Sequence, residues 1–496
     1  MPRSRPNILC FITDQQRADH LGCYGNSDIQ TPNIDRLAQD GITFTEFYVT
    51  NPLCMPSRAT LFTGQYPQAH GVRENGIALP QLETVLPEML RQSGYTTASF
   101  GKVHLNPYGI DLITPLSPTE SYESFQYWED HNDLPRPYFG FEHVYLTCGH
   151  GPYAFGHYSW EIPAERRALQ QIENALTKPS GAKESWKSAL DEKDHYNTRI
   201  ADHTIEFLEN YESEQPFFIW CSFPDPHHPY SPPMPYSDMY NPQQITFSPA
   251  RRDGELDDLP EYFRAVYKGE QRVGGLEGGA QISDDHYREI LAHTYGMISM
   301  VDHNVGRIMK TLEIQGLLDN TIVIFLSDHG DLMGDHWLIN KGPFLFRGLT
   351  RIPMIWRLPE GNSAGKRTQA MVSAVDFYPT ILDFAGLPLP PGVQGRSFKS
   401  DILLGDEPEF RERVYIEYDS TYLGERLRHI RSPEWALTYH ANRKDGLLYN
   451  LQDDPQELYN LWNDDAYQSI KSHLLEDLLN QNIQAASYLP ARKAHA

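Results

Sequence analysis

The segment 54–58, with the sequence Cys-Met-Pro-Ser-Arg, holds the residues of this chain best suited to chemistry. Pro56 fits the first turn of a helix, where its missing N–H costs nothing, and Gly64 can end that helix. We therefore expect Cys54 to lie just before a helix N-terminus, where free N–H groups and the dipole favour negative charge. Such a place can hold an oxyanion beside a nucleophile. The alternative is a buried structural cysteine.

Ionisable side chains follow four predicted strands, at 7–12, 96–100, 217–223 and 321–326. The first of them is a short continuous apolar run, typical of a strand buried on both faces. The side chains that follow them are Asp14, Lys102, His104, His227, Asp328 and His329. Strands that alternate with helices predict a mainly parallel sheet covered on both faces. Since ligands collect at the carboxyl ends of such strands, we expect these side chains to converge, although any one alone could be an ordinary loop residue.

Helix and sheet signals fill the rest of the chain. Thr31 is the predicted N-cap of a helix that starts at Pro32 and stops at Gly41. A long helix is predicted around residues 297–312. Short strands at 414–418, 427–431, 435–439 and 447–451 predict a small antiparallel sheet, followed by a final helix. We therefore expect an α/β catalytic domain at 1–404 and an α+β subdomain at 405–496.

Two intermediate regions are less regular. Aromatic residues cluster between 138 and 160, which fits either a substrate wall or an insertion packed on the main domain or at a subunit contact. The glycine-rich segment 274–279 fits a lid or a simple loop.

Composition excludes several classes of partner. The formal net charge of −24 argues against nucleic acid and anionic membranes, which require a basic surface. Five cysteines without a C-x-x-C pair argue against a disulfide framework and a structural zinc site. No run approaches the roughly 18 apolar residues of a membrane span. The apolar run at 8–12 is too short for a signal peptide, so the expected location is the cytoplasm.

The motifs at 7–14, 54–58, 64–72, 101–105, 226–229, 305–307, 327–330, 334–336, Lys341 and 448–461 span nearly the whole chain. In this order they resemble the type I, formylglycine-dependent sulfatases of the alkaline phosphatase superfamily. The resemblance implies a large, mainly parallel sheet covered by helices, with a smaller C-terminal antiparallel-sheet subdomain. It also implies that a formylglycine-generating enzyme oxidises Cys54 to formylglycine, whose hydrated aldehyde is the nucleophile.

The same resemblance implies a role for each site residue. Asp14, Asp328, His329 and the modified Cys54 would bind one divalent metal, with Gln15 as a further candidate ligand. Arg58 would orient the hydrate, Lys102 and Lys341 would clamp the sulfate oxygens, His227 would protonate the leaving alcohol, and His104 would help to expel sulfate from the covalent hemiacetal. Its spacing of two from Lys102 predicts that His104 shares a strand face with that lysine.

The pairs Asp14-Gln15 and Asp328-His329 depart from the commonest pattern of the family, which has two adjacent aspartates and a later Asp-Asn. Calcium is the family default, but an imidazole ligand suits manganese or zinc. The pairing resembles the branch that contains phosphonate monoester hydrolases and promiscuous arylsulfatases.

Three interpretations of function therefore stand. The first is hydrolysis of a small anionic sulfate ester, and the second is hydrolysis of phosphonate monoesters or phosphodiesters by the same nucleophile. The third is an inactive relative that binds anions. Lys341 could instead be a solvated surface lysine, His70 is expected to hold a turn, and His228 and His336 are expected to be structural neighbours. The tail after Ser487 could cross to a second subunit of a homo-oligomer.

Overall fold

The computed structural model describes residues 5–109, 119–130, 134–170, 184–268, 270, 282–359, 364–404, 411–421, 423–441, 443 and 445–486. Its strands are β1 (Asn7–Thr13), β2 (Ile42–Phe44), β3 (Phe47–Tyr48), β4 (Thr96–Gly101), β5 (His143–Cys148), β6 (Phe155–Gly156), β7 (Phe217–Ser222), β8 (Thr321–Ser327), β9 (Met354–Arg357), β10 (Lys366–Thr368), β11 (Val372–Ser373), β12 (Val414–Ser420), β13 (Glu425–Arg431), β14 (Trp435–His440) and β15 (Gly446–Asn450).

The helices are α1 (Pro32–Gln39), α2 (Cys54–Thr63), α3 (Pro67–His70), α4 (Leu86–Gln92), α5 (Tyr122–Asp130), α6 (His157–Glu161), α7 (Ala164–Arg167), α8 (Tyr196–Glu209), α9 (Glu255–Asp258), α10 (Glu261–Tyr267), α11 (Asp284–Ile314), α12 (Arg347–Thr350), α13 (Phe377–Phe384), α14 (Lys399–Leu404) and α15 (Gln468–Ala485). Among the residues given above, no helix is both long and apolar enough to cross a bilayer.

Nine strands form one large sheet in the order β10-β2-β9-β8-β1-β7-β4-β5-β6. Strands β8, β1, β7, β4 and β5 are parallel to one another, while β9 pairs antiparallel with β8 and β6 pairs antiparallel with β5. The four strands predicted to end in ionisable residues are therefore adjacent in the centre of the sheet. This confirms the predicted mainly parallel α/β architecture.

Two hydrophobic cores cover the two faces of this sheet. Alternate residues of β1 enter opposite cores, with Leu9 and Phe11 on one face and Ile8 and Cys10 on the other. Helices α1, α8 and α11 pack on the first face, whereas α2, α4 and α13 pack on the second. A strand between two such layers is apolar at every position, which is why β1 is a continuous apolar run.

Two details of the predicted helices are wrong. Cys54 is the first residue of its helix and does not precede it. Pro56, the third residue, lies in the first turn, and Gly64 ends the helix in the left-handed conformation, both as predicted. Thr31 does not cap α1 with its side chain. Instead the carboxylate of Asp302, on α11, accepts the N–H groups of Asn33 and Ile34. A charged acceptor from another helix thus replaces the local cap.

The C-terminal part contains the predicted antiparallel sheet, in the order β12-β13-β14-β15. Helix α15 packs on it through Leu474 and Leu478 in a small core of its own. The domain boundary at 404/405 stays a prediction, because residues 405–410 lie outside the described residues, as do the segment 274–279 and the tail from 487. The aromatic residues Tyr138 and Phe141 are buried in the main core, as expected for an insertion packed on the domain.

Candidate active site

The predicted site residues converge at the carboxyl ends of the central strands. Asp14 follows β1, Lys102 follows β4, His227 follows β7, and Asp328 with His329 follows β8. Each of these side chains is at least about nine-tenths buried. The parallel arrangement brings these strand ends to one edge of the sheet, so residues more than 300 positions apart in sequence come into contact.

Helix α2 places Cys54 and Arg58 at this edge of the sheet. The two residues are one helical turn apart, so both side chains face the strand ends. The fully buried guanidinium of Arg58 donates to Oδ2 of Asp328 at 2.8 Å, to the Lys102 carbonyl at 2.8 Å and to Oγ of Ser222 at 3.0 Å. Arg58 therefore ties the helix to three of the four strand ends.

The Cys54 thiol lies in an electropositive setting. Nζ of Lys341 is 2.9 Å from Sγ, and Nε2 of His329 is 3.2 Å from it. Burial raises the pKa of the thiol, and so does Asp14, but Lys102, Lys341 and His329 together lower that pKa below its ordinary value. Lys341 is only 8% exposed, so it is not a surface lysine. Such a setting marks a reactive rather than a merely structural cysteine.

Four residues form a compact set of metal ligands. The ligand atoms of Asp14, Cys54, Asp328 and His329 lie within 4.8 Å of one another. Nδ1 of His329 lies 2.9 Å from the carbonyl oxygen of Gly330, so this nitrogen donates and Nε2 keeps its lone pair toward the set. Two carboxylates, one sulfur and one imidazole therefore fit a single divalent cation.

Gln15 lies beside this set and remains the predicted fifth ligand. Its Nε2 group donates to the carboxylate of Asp331, which is an acceptor only, so the amide oxygen must face the other way. That oxygen, Oε1, is buried without a hydrogen-bond partner among the described residues. Gln15 also has a φ of 63°, a strained conformation for a side chain of this size. A buried oxygen without a hydrogen-bond partner, on a residue with a strained backbone, fits the role of a metal ligand.

Lys102 supplies a second positive charge beside the ligand set. Its ammonium group contacts Oδ2 of Asp14 and lies 2.7 Å from Nε2 of His150. Burial alone would raise the pKa of Asp14, yet Lys102, His227 and His150 hold that pKa well below its usual range. Asp14, His150 and His227 form a second cluster of ligand atoms. The Lys102 ammonium contacts two of these three residues, Asp14 and His150. Its positive charge therefore lies where a second metal ion would otherwise bind.

The approach of Lys102 depends on the glycine before it. Gly101 has a φ of 99°, and a Cβ atom at this position would lie 1.9 Å from the carbonyl oxygen of Ser222. Only glycine allows this left-handed turn at such close range. The strand ends here, so Lys102 and His104 lie on a loop and do not share a strand face, contrary to the reason given for their pairing.

His150 is a site residue that the sequence did not identify. It follows β5, the neighbour of β4, and its ring stacks on that of His227 with centroids 3.6 Å apart. Burial and Lys102 lower its pKa to about 4, so the neutral ring accepts from the Lys102 ammonium. The rule that found the other residues, a polar residue directly after a buried strand, applies to His150 as well.

His227 and His228 form the next layer of the same stack, with ring centroids 4.1 Å apart. Nδ1 of His227 donates to the carbonyl oxygen of His228 at 2.6 Å, and its Nε2 lies 3.0 Å from Nζ of Lys341. Burial, His150 and Lys341 keep the pKa of His227 well below its ordinary value. His228 lies 3.2 Å from the Gln15 amide and is thus closer to the ligand set than predicted.

His104 lies beside this stack, on the loop after β4. It is 6% exposed and stacks on Tyr108 with ring centroids 4.0 Å apart. Its Nδ1 atom has no partner in the described part of the chain. His70 lies outside the site and bonds the N–H of Val72 at 3.1 Å, as expected for a residue that holds a turn. His336 bonds Glu255 and is likewise outside it.

Comparison with known proteins identifies the family. The sulfatase family model matches residues 6–387, and the model described as N-sulphoglucosamine sulphohydrolase, C-terminal, matches residues 334–484. An arylsulfatase of Clostridium perfringens is 28% identical over 501 residues, covering 96% of this chain and 94% of that protein. An N-acetylglucosamine-6-O-sulfatase of Bacteroides thetaiotaomicron is 28% identical over 534 residues, covering 95% and 85%.

The solved structures agree. The phosphonate monoester hydrolase of Agrobacterium radiobacter superposes with a TM-score of 0.82 at 29% identity, covering 98% of this chain and 97% of that one. A family model that spans residues 6–387, a matching fold and a compact ligand set at the predicted strand ends lead to one assignment. This chain belongs to the sulfatase family of the alkaline phosphatase superfamily.

Proposed function

We propose that this protein hydrolyses sulfate esters, releasing inorganic sulfate and an alcohol or phenol, with a formylglycine made from Cys54 as the nucleophile. The observation that carries the proposal is the position of Cys54, which is both a member of the metal-ligand set and within 2.9 Å of Lys341. Formylglycine would supply a hydrated aldehyde, with one hydroxyl to attack sulfur and a second to regenerate the aldehyde. A bound divalent metal would polarise a sulfate oxygen and lower the pKa of the attacking hydroxyl.

The side chains of the site divide the remaining work. Lys341 contacts the Cys54 sulfur and Lys102 contacts Asp14 of the ligand set, and both would bind the sulfate oxygens, stabilising the charge that develops on them. Nη2 of Arg58 is buried without a hydrogen-bond partner among the described residues and would orient the hydrate. His227 would protonate the leaving oxygen through Nε2, because Nδ1 is bonded to the His228 carbonyl, and Nε2 would first take up a proton from the Lys341 ammonium 3.0 Å away. His104 would accept a proton as sulfate leaves.

The donor set favours manganese or zinc over calcium. Calcium prefers a shell of oxygen atoms, whereas the unprotonated Nε2 of His329 suits a transition metal. Metal analysis of the purified protein tests this preference. The same purified protein can be examined for conversion of Cys54 to formylglycine. We expect this conversion to need a formylglycine-generating enzyme.

Mass spectrometry of the tryptic peptide 37–58 is the direct test of the nucleophile. The peptide from protein made in its native host should carry an aldehyde, which reacts with a hydrazide reagent, in place of the Cys54 thiol. Turnover of an aryl sulfate should rise with the converted fraction across preparations. Full activity in protein that carries only the thiol would contradict the proposal.

Hydrolysis of phosphonate monoesters is the second candidate function. It is favoured by the Asp14-Gln15 and Asp328-His329 ligand pairs, and the superposed hydrolase of Agrobacterium radiobacter bears that name. An aryl sulfate and an aryl phosphonate monoester with the same phenol separate the two functions, because the leaving group is then identical. The sulfatase proposal expects a higher kcat/KM for the sulfate, and a preference for the phosphonate by orders of magnitude would replace it.

A further inference from the structure

Glu120 is a buried acidic residue that has no role in the chemistry described so far. Its side chain is 0% exposed. Oε2 accepts the N–H of His104 at 2.8 Å, while Oε1 accepts the N–H groups of Leu105 at 3.0 Å and Asn106 at 3.2 Å. Three successive backbone N–H groups of the loop after β4 therefore converge on one carboxylate.

The other contacts of Glu120 are donors as well. The Tyr138 hydroxyl donates to Oε1 at 2.8 Å and itself accepts from Nδ2 of Asn106 at 2.9 Å, which closes a ring of hydrogen bonds. Sγ of Cys148, at the end of β5, lies 3.9 Å from Oε2. A carboxyl group surrounded only by donors acts as an ionised acceptor. Burial raises the pKa of Glu120 above its ordinary value, although the Tyr138 hydroxyl and the amides of residues 104–106 oppose that rise.

The loop needs this support because its conformation is strained. His104 has a φ of 56°, which costs a non-glycine residue about 1–3 kcal/mol. Strand β4 ends at Gly101, so no sheet ladder holds His104 in place. The His104 ring stacks on Tyr108. It also lies close enough to Lys102 and Arg58 for their positive charges to act on it. Without the carboxylate, the backbone at His104 would relax toward a common conformation and the ring would leave the site.

We propose that Glu120 is a positioning residue that holds His104 in the geometry needed for release of sulfate. The inference rests on the proposed function, in which His104 accepts a proton at that step. It acts through the backbone N–H groups of residues 104–106 and not through contact with the substrate. The contact of Glu120 with Cys148 joins the His104 loop to the end of β5, the strand that His150 follows.

Hydrogen exchange tests the positioning without any need for activity. In Glu120→Gln the side chain keeps one acceptor oxygen but presents an NH₂ group to the backbone amides. We expect the amides of residues 104–106 to exchange about tenfold faster or more, since a buried bond to a charged acceptor is lost. Glu255→Gln is the matched control, because Glu255 is equally buried and bonds His336 outside the site. Unchanged exchange at 104–106 would overturn the inference.

Kinetics test whether the positioning serves His104. We expect Glu120→Gln to lower kcat by about 10- to 100-fold with little change in KM, because small misplacements of a catalytic group carry penalties of this size. In a His104→Ala background the same substitution should add no further loss. Equal losses in both backgrounds would overturn the inference, since Glu120 would then act independently of His104.

Two further measurements keep these outcomes separate. If Glu120→Gln fails to fold, Tyr138→Phe removes a single donor to the same carboxylate and should give a smaller change in exchange and in kcat. An unchanged exchange rate in that folded variant, together with unchanged kcat, would overturn the inference. If the wild-type protein hydrolyses no sulfate ester, the proposed function fails, and the exchange result alone decides whether Glu120 holds the loop.

Discussion

The active site and the contact between the main domain and the C-terminal part both bury charged groups, but the polar atoms of the two regions differ in how fully they are paired. At the contact, Arg431 and Glu457 are 4% and 2% exposed and lie 2.8 Å apart. Arg431 also donates to the Tyr48 hydroxyl at 3.1 Å, and Glu457 accepts the N–H of Arg347 at 2.8 Å. These contacts join the C-terminal part to β3 and α12 of the main domain, and the charges of the pair are satisfied within the protein.

The active site leaves its polar atoms unsatisfied. Oε1 of Gln15, Nη2 of Arg58 and Nδ1 of His104 are all buried without hydrogen-bond partners in the described part of the chain. An unpaired buried polar atom carries a free-energy penalty of about 1–3 kcal/mol. We call the Arg431–Glu457 pair closed, because protein groups satisfy its charges, and the active-site set open, because these three polar atoms remain available to a ligand.

The largest expected effect comes from replacing Cys54, the proposed nucleophile of the active site. Cys54→Ala should lower turnover of an aryl sulfate by at least about 10⁴-fold, because no other group can form the covalent bond to sulfur. The melting temperature should change little, since no closed ion pair is lost. Cys23→Ala, at a half-buried cysteine outside the site, is the control and should keep its activity. Substantial turnover by Cys54→Ala would contradict the assignment.

The next effect comes from breaking the closed pair. Glu457→Gln leaves Arg431 buried and unpaired, so we expect the free energy of unfolding to fall by about 3–5 kcal/mol at neutral pH. The kcat of the folded variant should be unchanged. Glu434→Gln, at an exposed position of the same subdomain, is the control. Chemical denaturation of the three proteins measures the difference, and a kcat defect without loss of stability would contradict the distinction.

This stability loss should depend on pH. Burial opposes ionisation of Glu457, but Arg431 and the Arg347 amide keep its pKa below the ordinary value. The folded-state pKa is thus lower than the unfolded one, so the contribution is fully present above the unfolded pKa and is lost as the pH falls through the folded pKa. The gap between wild type and Glu457→Gln should therefore narrow in acid.

A smaller effect is expected at the orphaned oxygen of Gln15. Gln15→Asn retains an amide that tolerates the positive φ but does not reach the ligand set. We expect the dissociation constant for manganese or zinc to rise about 10- to 100-fold, comparable to the loss of one supporting group at a metal site. Titration calorimetry on metal-free protein measures it, with Gln30→Asn at an exposed position as the control. Unchanged affinity would remove Gln15 from the ligand set.

The smallest effect is expected for His150. His150→Asn removes the acceptor for the Lys102 ammonium and the stacking partner of His227. We expect kcat/KM to fall about tenfold, the loss expected for one hydrogen bond to a charged group. His203→Asn, at a half-exposed histidine paired with Glu161, should leave kcat/KM unchanged. A loss as large as that of Cys54→Ala would mean that His150 takes part directly in the chemistry.

The sequence predicted the part of the site that follows from regular structure. Asp14, Lys102 and Asp328 come directly after strands and His227 follows β7 by five residues, and parallel topology brings such positions together. The same reasoning missed His150 because β5 lies in a region whose pattern is irregular. It also left open whether Lys341 is exposed, since that residue lies on a loop and only the fold shows that it is buried.

Long-range contacts account for the rest. The predicted cap at Thr31 was wrong because Asp302, on a helix about 270 residues away, takes its place, and no local pattern reveals that contact. Glu120 has no signal of its own, because it acts on backbone N–H groups that are the same for every residue type. The family match shows that the chain is a sulfatase-family protein, while the choice between sulfate and phosphonate esters stays a proposal.

The burial of α2 also limits when the protein can mature. All ten residues from Cys54 to Thr63 are buried, and Cys54 itself is 1% exposed. An enzyme that makes the proposed formylglycine would need access to this thiol, which the folded protein does not offer. The proposed oxidation of Cys54 would therefore have to precede closure of the main core, and the converted fraction would depend on the relative rates of modification and folding. Slower folding should raise the converted fraction.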